Sequence, residues 1–242
     1  MPEQRLPERR GRGGSRRRPR NSLNPEVIVR AAANLVEREG ADALTFHNLG
    51  RELDAHPTAV YRHFRSKDDL LLALTDTLFG EVLDGFAPGE DWVETLRAYG
   101  MRVFGVFQRH PHVGQLVAVR TTRRENEFRY TELLLSTMAR SGLPDADVAR
   151  YTRVLDDFIL AEAGQAAAFF ALDPASREAD VQAWRVDYPR LAPDRYPTIA
   201  KLVHLLPGID DPGNFATALD LMLSAIAARA AAHARTTGPD GR

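Results

Sequence analysis

The sequence predicts an all-α fold, and three observations carry that prediction. Apolar residues recur at intervals of three, four and seven along almost the whole chain, the spacing that lines one face of a helix. No stretch of useful length alternates apolar and polar residues as a half-buried strand would, and no segment repeats. Proline, glycine and small polar residues fall where helices would begin and end.

In chain order, Asn24 before Pro25 is a start signal: a side-chain acceptor for orphan N–H groups, then a ring already fixed at helical φ. Val27, Ile28, Ala31, Ala32, Leu35 and Val36 share one face, and Gly40 ends the helix. Thr45 caps a second helix of about two turns, with Phe46, Leu49 and Leu53 at i, i+3 and i+7. Asp54-Ala55-His56 leads into Pro57, which has no N–H to lose at the first position of a third helix. There Ala59, Val60 and Phe64 point inward, leaving Thr58, Tyr61, Arg62 and His63 for the other faces. Ser66-Lys67-Asp68-Asp69 resembles a capping box and opens a long helix through Leu70, Leu71, Leu74, Leu78 and Val82.

Ala87-Pro88-Gly89 marks a boundary, giving domains expected over 24–84 and 90–235, with an Arg-rich arm over 1–23 and a tail over 236–242. Trp92, Leu96, Tyr99, Val103 and Phe107 keep helical spacing until His110-Pro111 stops them. Arg123 to Arg140 and Ala146 to Leu172 read as further long helices. Six prolines between Asp173 and Pro212 predict short helices and loops. The last helix, Asn214 to about His233, has Phe215, Leu219, Met222 and Ile226 on one face and Ala218, Leu221, Ala225, Ala228 and Ala232 on another. Two apolar faces need two partners, either a second subunit across a symmetry axis or the surrounding core of a monomer.

Composition narrows the class. With 242 residues and 44% apolar content, the chain has material for one or two domains with a buried core. Cysteine is absent, which excludes disulfides and thiolate metal sites and suits a reducing cytoplasm. No run of 18 apolar residues and no signal-peptide pattern is present, so neither a membrane span nor secretion is indicated, and a cytoplasmic protein is expected. The net charge of −1 conceals an uneven distribution: residues 1–23 hold eight Arg against two Glu, +6, so the remainder carries −7. Such an arm reads either as a flexible polycation that tracks phosphates or enters a minor groove, or as a solvated terminus.

A short capped helix, a turn of about three residues and a second short helix opening at Pro57 form a helix-turn-helix, whose second helix presents its first turn to base edges in a major groove. The chemistry fits that task. Helix starts at Thr45, His56 and Ser66 suit phosphate oxygens. Tyr61 and His63 offer phosphate hydrogen bonds, Lys67 adds a point charge, Arg62 can bond guanine bidentately, and Thr58 can meet a thymine methyl group.

The stretch "LTFHNLGRELDAHPTAVYRHFRSKDDLLLAL" resembles the DNA-binding signature of the TetR family of transcriptional regulators, over about Asn24 to Leu83. The resemblance implies that Tyr61, His63 and Lys67 hold phosphates, while Thr58, Arg62 and, from the preceding helix, His47 are placed to read bases. The family often has Gly where Asp54 sits and Ser or Thr where His56 sits. Beyond the boundary, "RHPHVGQL" (Arg109 to Leu116), "SGL" (Ser141 to Leu143) and the long helices near Leu155 and Leu223 resemble the ligand-binding domain of the tetracycline-repressor branch. That implies a four-helix dimer interface from the helices near 146–172 and 214–233, and a pocket within each C-terminal domain. The position of that branch's metal-holding histidine falls near Ala118, so a magnesium-tetracycline ligand is not supported.

Other candidates weigh less. His110 and His112 lack the third and fourth ligands that tetrahedral zinc needs, so no metal and no cofactor is expected. Asp156, Asp157 and Glu162 beside Phe158 and Ile159 read as a solvated face or polar pocket contacts rather than an acid-base set, and no catalytic residue is assigned. Tyr99, Phe104, Phe107, Met138, Phe158 and Phe169 are the pocket candidates, although aromatics at helical spacing also serve as core filler. Arg120, Arg123 and Arg124 read as solvated or as interhelical salt bridges, with an anionic ligand as the alternative. The expectation is a homodimeric regulator, not an enzyme, that binds a double-stranded palindromic operator, represses, and is released by an unidentified small molecule. The rivals are a helical enzyme and a ligandless DNA-bridging dimer.

Overall fold

The computed structural model describes residues 23–118 and 120–237, so the arm expected over 1–23 lies, apart from Leu23, outside the described residues, as do positions 238–242 of the tail. The described chain is helical throughout, with no strand: α1 (Pro25–Glu39), α2 (Phe46–Glu52), α3 (Pro57–Tyr61), α4 (Lys67–Leu83), α5 (Trp92–Arg109), α6 (Pro111–Val117), α7 (Glu125–Ala139), α8 (Asp145–Phe170), α9 (Pro174–Gln182), α10 (Pro197–Leu202) and α11 (Gly213–Thr237).

The local starts follow the capping chemistry. Asn24 Oδ1 accepts the N–H of Val27 at 2.8 Å with Pro25 at the first helical position. Ser66 Oγ accepts the N–H of Asp69 at 3.1 Å, and the Asp69 carboxylate reaches back to the N–H of Arg65 at 3.1 Å, so the box closes one residue earlier than expected. Gly40 ends α1 at φ 80.

Three departures from the sequence pattern have physical reasons. His110-Pro111 does not open a loop, because Pro111 starts α6. That helix is capped from a distance: the Glu37 carboxylate on α1 accepts the N–H groups of His112 at 3.2 Å and Val113 at 2.9 Å, so Pro111 is its one local start signal and no local side chain caps it. Helix α7 starts at Glu125 rather than Arg123, since Arg123 is left-handed at φ 57. On α11 the buried row is Phe215, Leu219, Leu223, Ile226 and Ala230; Leu223 takes the central place, and Met222 lies at its partly buried edge.

Helix α5 is the axis of the larger part, burying Leu96, Tyr99, Val103, Phe104 and Phe107 between α4, α7, α8 and α11. By length and composition α11 is apolar enough to cross a membrane. Its inner face packs on α5 and α8, and Asp220 on it pairs with Arg97 at 2.7 Å, while its other face is exposed. Where α6 ends against α8 the approach is very close: a Cβ on Gly164 would sit 2.5 Å from the methyl of Ala118. The core of the N-terminal helices runs without a break into that of the C-terminal ones.

Candidate nucleic-acid interface and effector cavity

The turn between α2 and α3 is built by backbone necessity. Ala55 donates to the Gly50 carbonyl at 2.8 Å, and a side chain at Gly50 would place its Cβ 2.8 Å from the Ala55 carbonyl and 3.3 Å from the Pro57 ring. Only glycine lets the returning chain pass so close. Asp54, where a glycine is common in similar sequences, holds φ 48, a region Asp tolerates better than most residues. Thr45 Oγ1 caps α2 on the N–H of Asn48 at 3.1 Å. At the start of α3 the His56 ring takes the place of a hydroxyl cap: Nδ1 lies 3.3 Å from the N–H of Thr58 and 2.9 Å from its Oγ1.

Burial sorts α3 into two sides. Val60 and the following Phe64 are buried, whereas Thr58, Tyr61, Arg62 and His63 are exposed, as are Thr45 and His47 on α2 and His56 in the turn. Pro57 is half-buried beneath them. Tyr61 rests its ring edge-on against Phe46, centroids 4.4 Å apart, yet remains 59% exposed, so its hydroxyl end is free. Lys67 donates from Nζ to the Ala41 carbonyl at 3.1 Å, which places its charge at the seam between the α1–α2 connection and α4.

Two cavities lie in the C-terminal part. One, about 280 Å³, is walled by Phe79 of α4, Ala118, Arg120 and Thr121, Tyr130 and Leu134 of α7, and Thr152, Asp156 and Leu160 of α8. The other, about 330 Å³, is walled by Phe104, Glu162, Phe169, Ile209 and Phe215 among others. Of the six expected pocket aromatics and Met, Phe104 and Phe169 line the second cavity. Tyr99, Phe107 and Met138 are fully buried core, and Phe158 stacks over Phe215 at 6.0 Å; these four line neither cavity. Direction on the helix explains the split within α5: Tyr99 and Phe107 are fully buried in the bundle, whereas Phe104 lies toward α11, stacked on Phe215 with centroids 4.3 Å apart, and reaches the cavity wall.

The first cavity holds a carboxyl whose ionisation is strongly displaced. Burial first, then the charge of Asp157, push the Asp156 carboxyl up to about 7, with Arg153 opposing. Tyr130 donates its hydroxyl to Asp156 Oδ1. Burial, and then the charge of Asp156, raise Tyr99 well above the ordinary phenol range, and its hydroxyl is buried without a partner among the described residues. Thr152, missed by the sequence reading, shares the wall with Asp156; the signal was available as two polar residues four apart on a helix whose neighbouring face is apolar.

Ion pairs tie this cavity to the N-terminal helices. Arg120 meets Asp68 at 2.6 Å and Arg124 meets Asp69 at 2.7 Å, both at the start of α4. Two turns further on, Asp76 accepts from Asn126 Nδ2 at 3.1 Å and from the N–H of Glu127 at 3.1 Å. These arginines therefore serve as interhelical salt bridges. His110 is likewise committed, with Nε2 2.8 Å from Glu81 Oε2 on α4, and no group of three or more potential metal ligands occurs among the described residues.

A two-sided α3 on a tight turn, joined by ion pairs to a helical bundle with cavities, defines a helix-turn-helix DNA-binding regulator. Residues 28–74 match the family model described as bacterial regulatory proteins, tetR family, and residues 86–230 match that of the tetracyclin repressor-like C-terminal domain; the chain belongs to the tetR family. It is 28% identical over 174 residues to an HTH-type transcriptional regulator of Saccharopolyspora erythraea, spanning 70% of this chain and 74% of that one. It is 34% identical over 110 residues to an HTH-type transcriptional repressor of Mycobacterium tuberculosis, spanning 45% of this chain and 42% of that one. Its fold is similar to that of ActR from Streptomyces coelicolor, solved in complex with actinorhodin, with a TM-score of 0.74 at 22% identity over 86% of this chain and 98% of ActR.

Proposed function

We propose that the protein is a homodimeric, cytoplasmic repressor that leaves a palindromic operator when a small molecule occupies its C-terminal part. The observation that carries this is α3: a buried side, Val60 with Phe64 just after it, that packs it against α2, and an exposed side of Thr58, Tyr61, Arg62 and His63 turned to solvent. In this reading residues 24–84 form the DNA-binding domain and 90–235 the effector and dimerisation domain. Tyr61, His63 and Lys67 hold phosphates, and Thr58, Arg62 and His47 face base edges. Support for repression comes from the mycobacterial relative's name, and support for a ligand from the actinorhodin complex of ActR.

The mechanism follows from the ion pairs. A ligand that displaces Arg120 or Thr121 acts through Arg120 and Arg124 on Asp68 and Asp69, and so on the tilt of α4 and the recognition helix that precedes it in the chain. Two recognition helices must enter major grooves about 34–36 Å apart, or a multiple of that, so a small tilt weakens both half-sites. Only a ligand with different affinity for the two states does this. Gel shifts on inverted-repeat DNA test the assignment. Arg62→Ala is expected to cost about 1–3 kcal/mol and to relax selectivity at one base position. Unchanged binding by a triple Tyr61→Ala, Arg62→Ala, Lys67→Ala variant refutes it.

A further inference from the structure

The cavity between α7 and α8 contains an acid that the fold leaves without a cation. Its other charged wall groups are all engaged: Arg120 on Asp68 at 2.6 Å, Arg153 on Asp157 at 2.9 Å, and Glu127 as acceptor from the Thr122 hydroxyl at 2.9 Å and from the N–H of Arg123. Asp156 has one hydrogen bond among the described residues, from the Tyr130 hydroxyl, and no ion pair. One turn earlier on α8, the Thr152 hydroxyl is buried on the same wall with no partner among the described residues. We propose that the effector is a protonated amine carried on an apolar body, its ammonium held by the Asp156 carboxylate and the Thr152 hydroxyl.

This rests on the reading of the protein as ligand-responsive and adds the chemistry of the ligand. An ammonium has three donors and no acceptor, which matches the second carboxylate oxygen of Asp156 and the Thr152 hydroxyl oxygen, neither of which receives a donor among the described residues. Phe79 and Tyr130, ring centroids 4.4 Å apart, supply faces that attract a cation, while Leu134 and Leu160 cover its apolar stem. A carboxylate or phosphate ligand would set like charge against Asp156, and a neutral one would do nothing to favour its carboxylate form, leaving the acid to take up a proton. The charged and titratable groups around Asp156 are Glu127 and Tyr130 from α7, Arg153 and Asp157 from α8, Tyr99 from α5 and Arg120 from the segment after α6. Both arginines are already paired, so a cation is the missing component. With its acid sitting at about 7, the site is only partly ionised near neutrality, and an amine of ordinary basicity would draw it into the carboxylate form.

Calorimetric titration of the full chain with 4-phenylbutylamine, 4-phenylbutanol and 4-phenylbutyrate isolates the charge on one constant body. The amine is expected to bind at least about tenfold more tightly than the alcohol near pH 8. Its affinity should fall about tenfold between pH 8 and pH 6 as Asp156 takes up a proton. Asp156→Asn should erase the preference for the amine, and Thr152→Val should weaken the amine severalfold while leaving the alcohol unaffected. Should Asp156→Asn not fold, the Thr152→Val effect and the pH profile decide instead. Failure of the amine to bind, or equal binding by the alcohol or the butyrate, overturns the inference. Amine binding that leaves inverted-repeat DNA affinity unchanged would instead refute the effector reading while retaining the site.

Discussion

Tyr61 carries two separable jobs in one side chain. Its ring edge packs on Phe46, and its hydroxyl stands on the exposed side of α3 proposed to face DNA, so removing only the oxygen should separate stability from binding. Tyr61→Phe is expected to leave the melting curve within about 0.5 kcal/mol of the parent and to weaken binding to all duplexes by about 1–2 kcal/mol. Tyr61→Ala should lose both, which urea unfolding and fluorescence anisotropy on operator and random duplex DNA would read in parallel. Asp156 makes a prediction of another kind. Its folded carboxyl sits at about 7 against an ordinary 3.8, so between those values the native state binds the proton that the unfolded chain has released. Stability therefore declines as pH rises through that window, and the loss is complete above about 7. Asp156→Asn should be the more stable protein near pH 8, with an advantage that shrinks steadily toward pH 4 in denaturant titrations. A gap that does not change with pH would mean that the acid is not withdrawn from water.

At the scale of elements, the helix-turn-helix depends on a backbone approach as much as on caps. Gly50→Ala inserts a methyl 2.8 Å from the Ala55 carbonyl, which cannot move without shifting Pro57 and the start of α3. A destabilisation of about 1–3 kcal/mol and a larger loss of operator affinity are expected, measured by urea unfolding and gel shift on the same preparations. This element was the most legible part of the sequence, because its signals are local: Thr45, His56 and Ser66 sit within one turn of the groups they cap, Pro57 opens α3, and Val60 and Phe64 declare the buried side by spacing alone. Helix α6 was less legible for the opposite reason, since its cap is Glu37, brought from α1 by the tertiary fold. The pocket was half legible. Aromatic spacing finds every ring on an inner face, but which rings fill the bundle and which border space depends on where the helices pass in three dimensions. So Phe104 and Phe169 reach a cavity wall while Tyr99 and Phe107 do not. Asp156 and Thr152 belong to the same lesson: their spacing placed them on one face of α8, and only the packing of α7 turned that face into a cavity wall.

Across the whole molecule the question is what covers the outer faces of α8 and α11. Leu221 is 69% exposed and Val154 52%, and Ala225 and Ala228 lie exposed on the same face of α11, while a shallow groove of about 130 Å³ runs between Tyr151, Val154, Met222, Ala225, Ile226 and Arg229. Small residues let backbones approach closely, and large apolar ones standing free at this density mark an interface rather than a solvated helix. A second copy meeting the first across a two-fold axis presents the same face to itself, so every residue of the patch is used twice. That doubling amplifies any charge placed there. Leu221→Glu and Leu221→Arg should each set like charges near one another at the axis, which costs several kcal/mol and raises the dimer dissociation constant by at least about two decades. Using both signs removes the possibility that one of them finds an accidental ion pair. Sedimentation velocity at micromolar protein should show dimer for the parent and monomer for both variants, while circular dichroism stays helical. Operator affinity should fall with dimerisation, because a monomer engages one half-site and forfeits the linkage to the second. If both variants sediment as dimers and hold the operator as the parent does, the partner for this face lies elsewhere, and the coupling of α4 to DNA must be explained within one subunit.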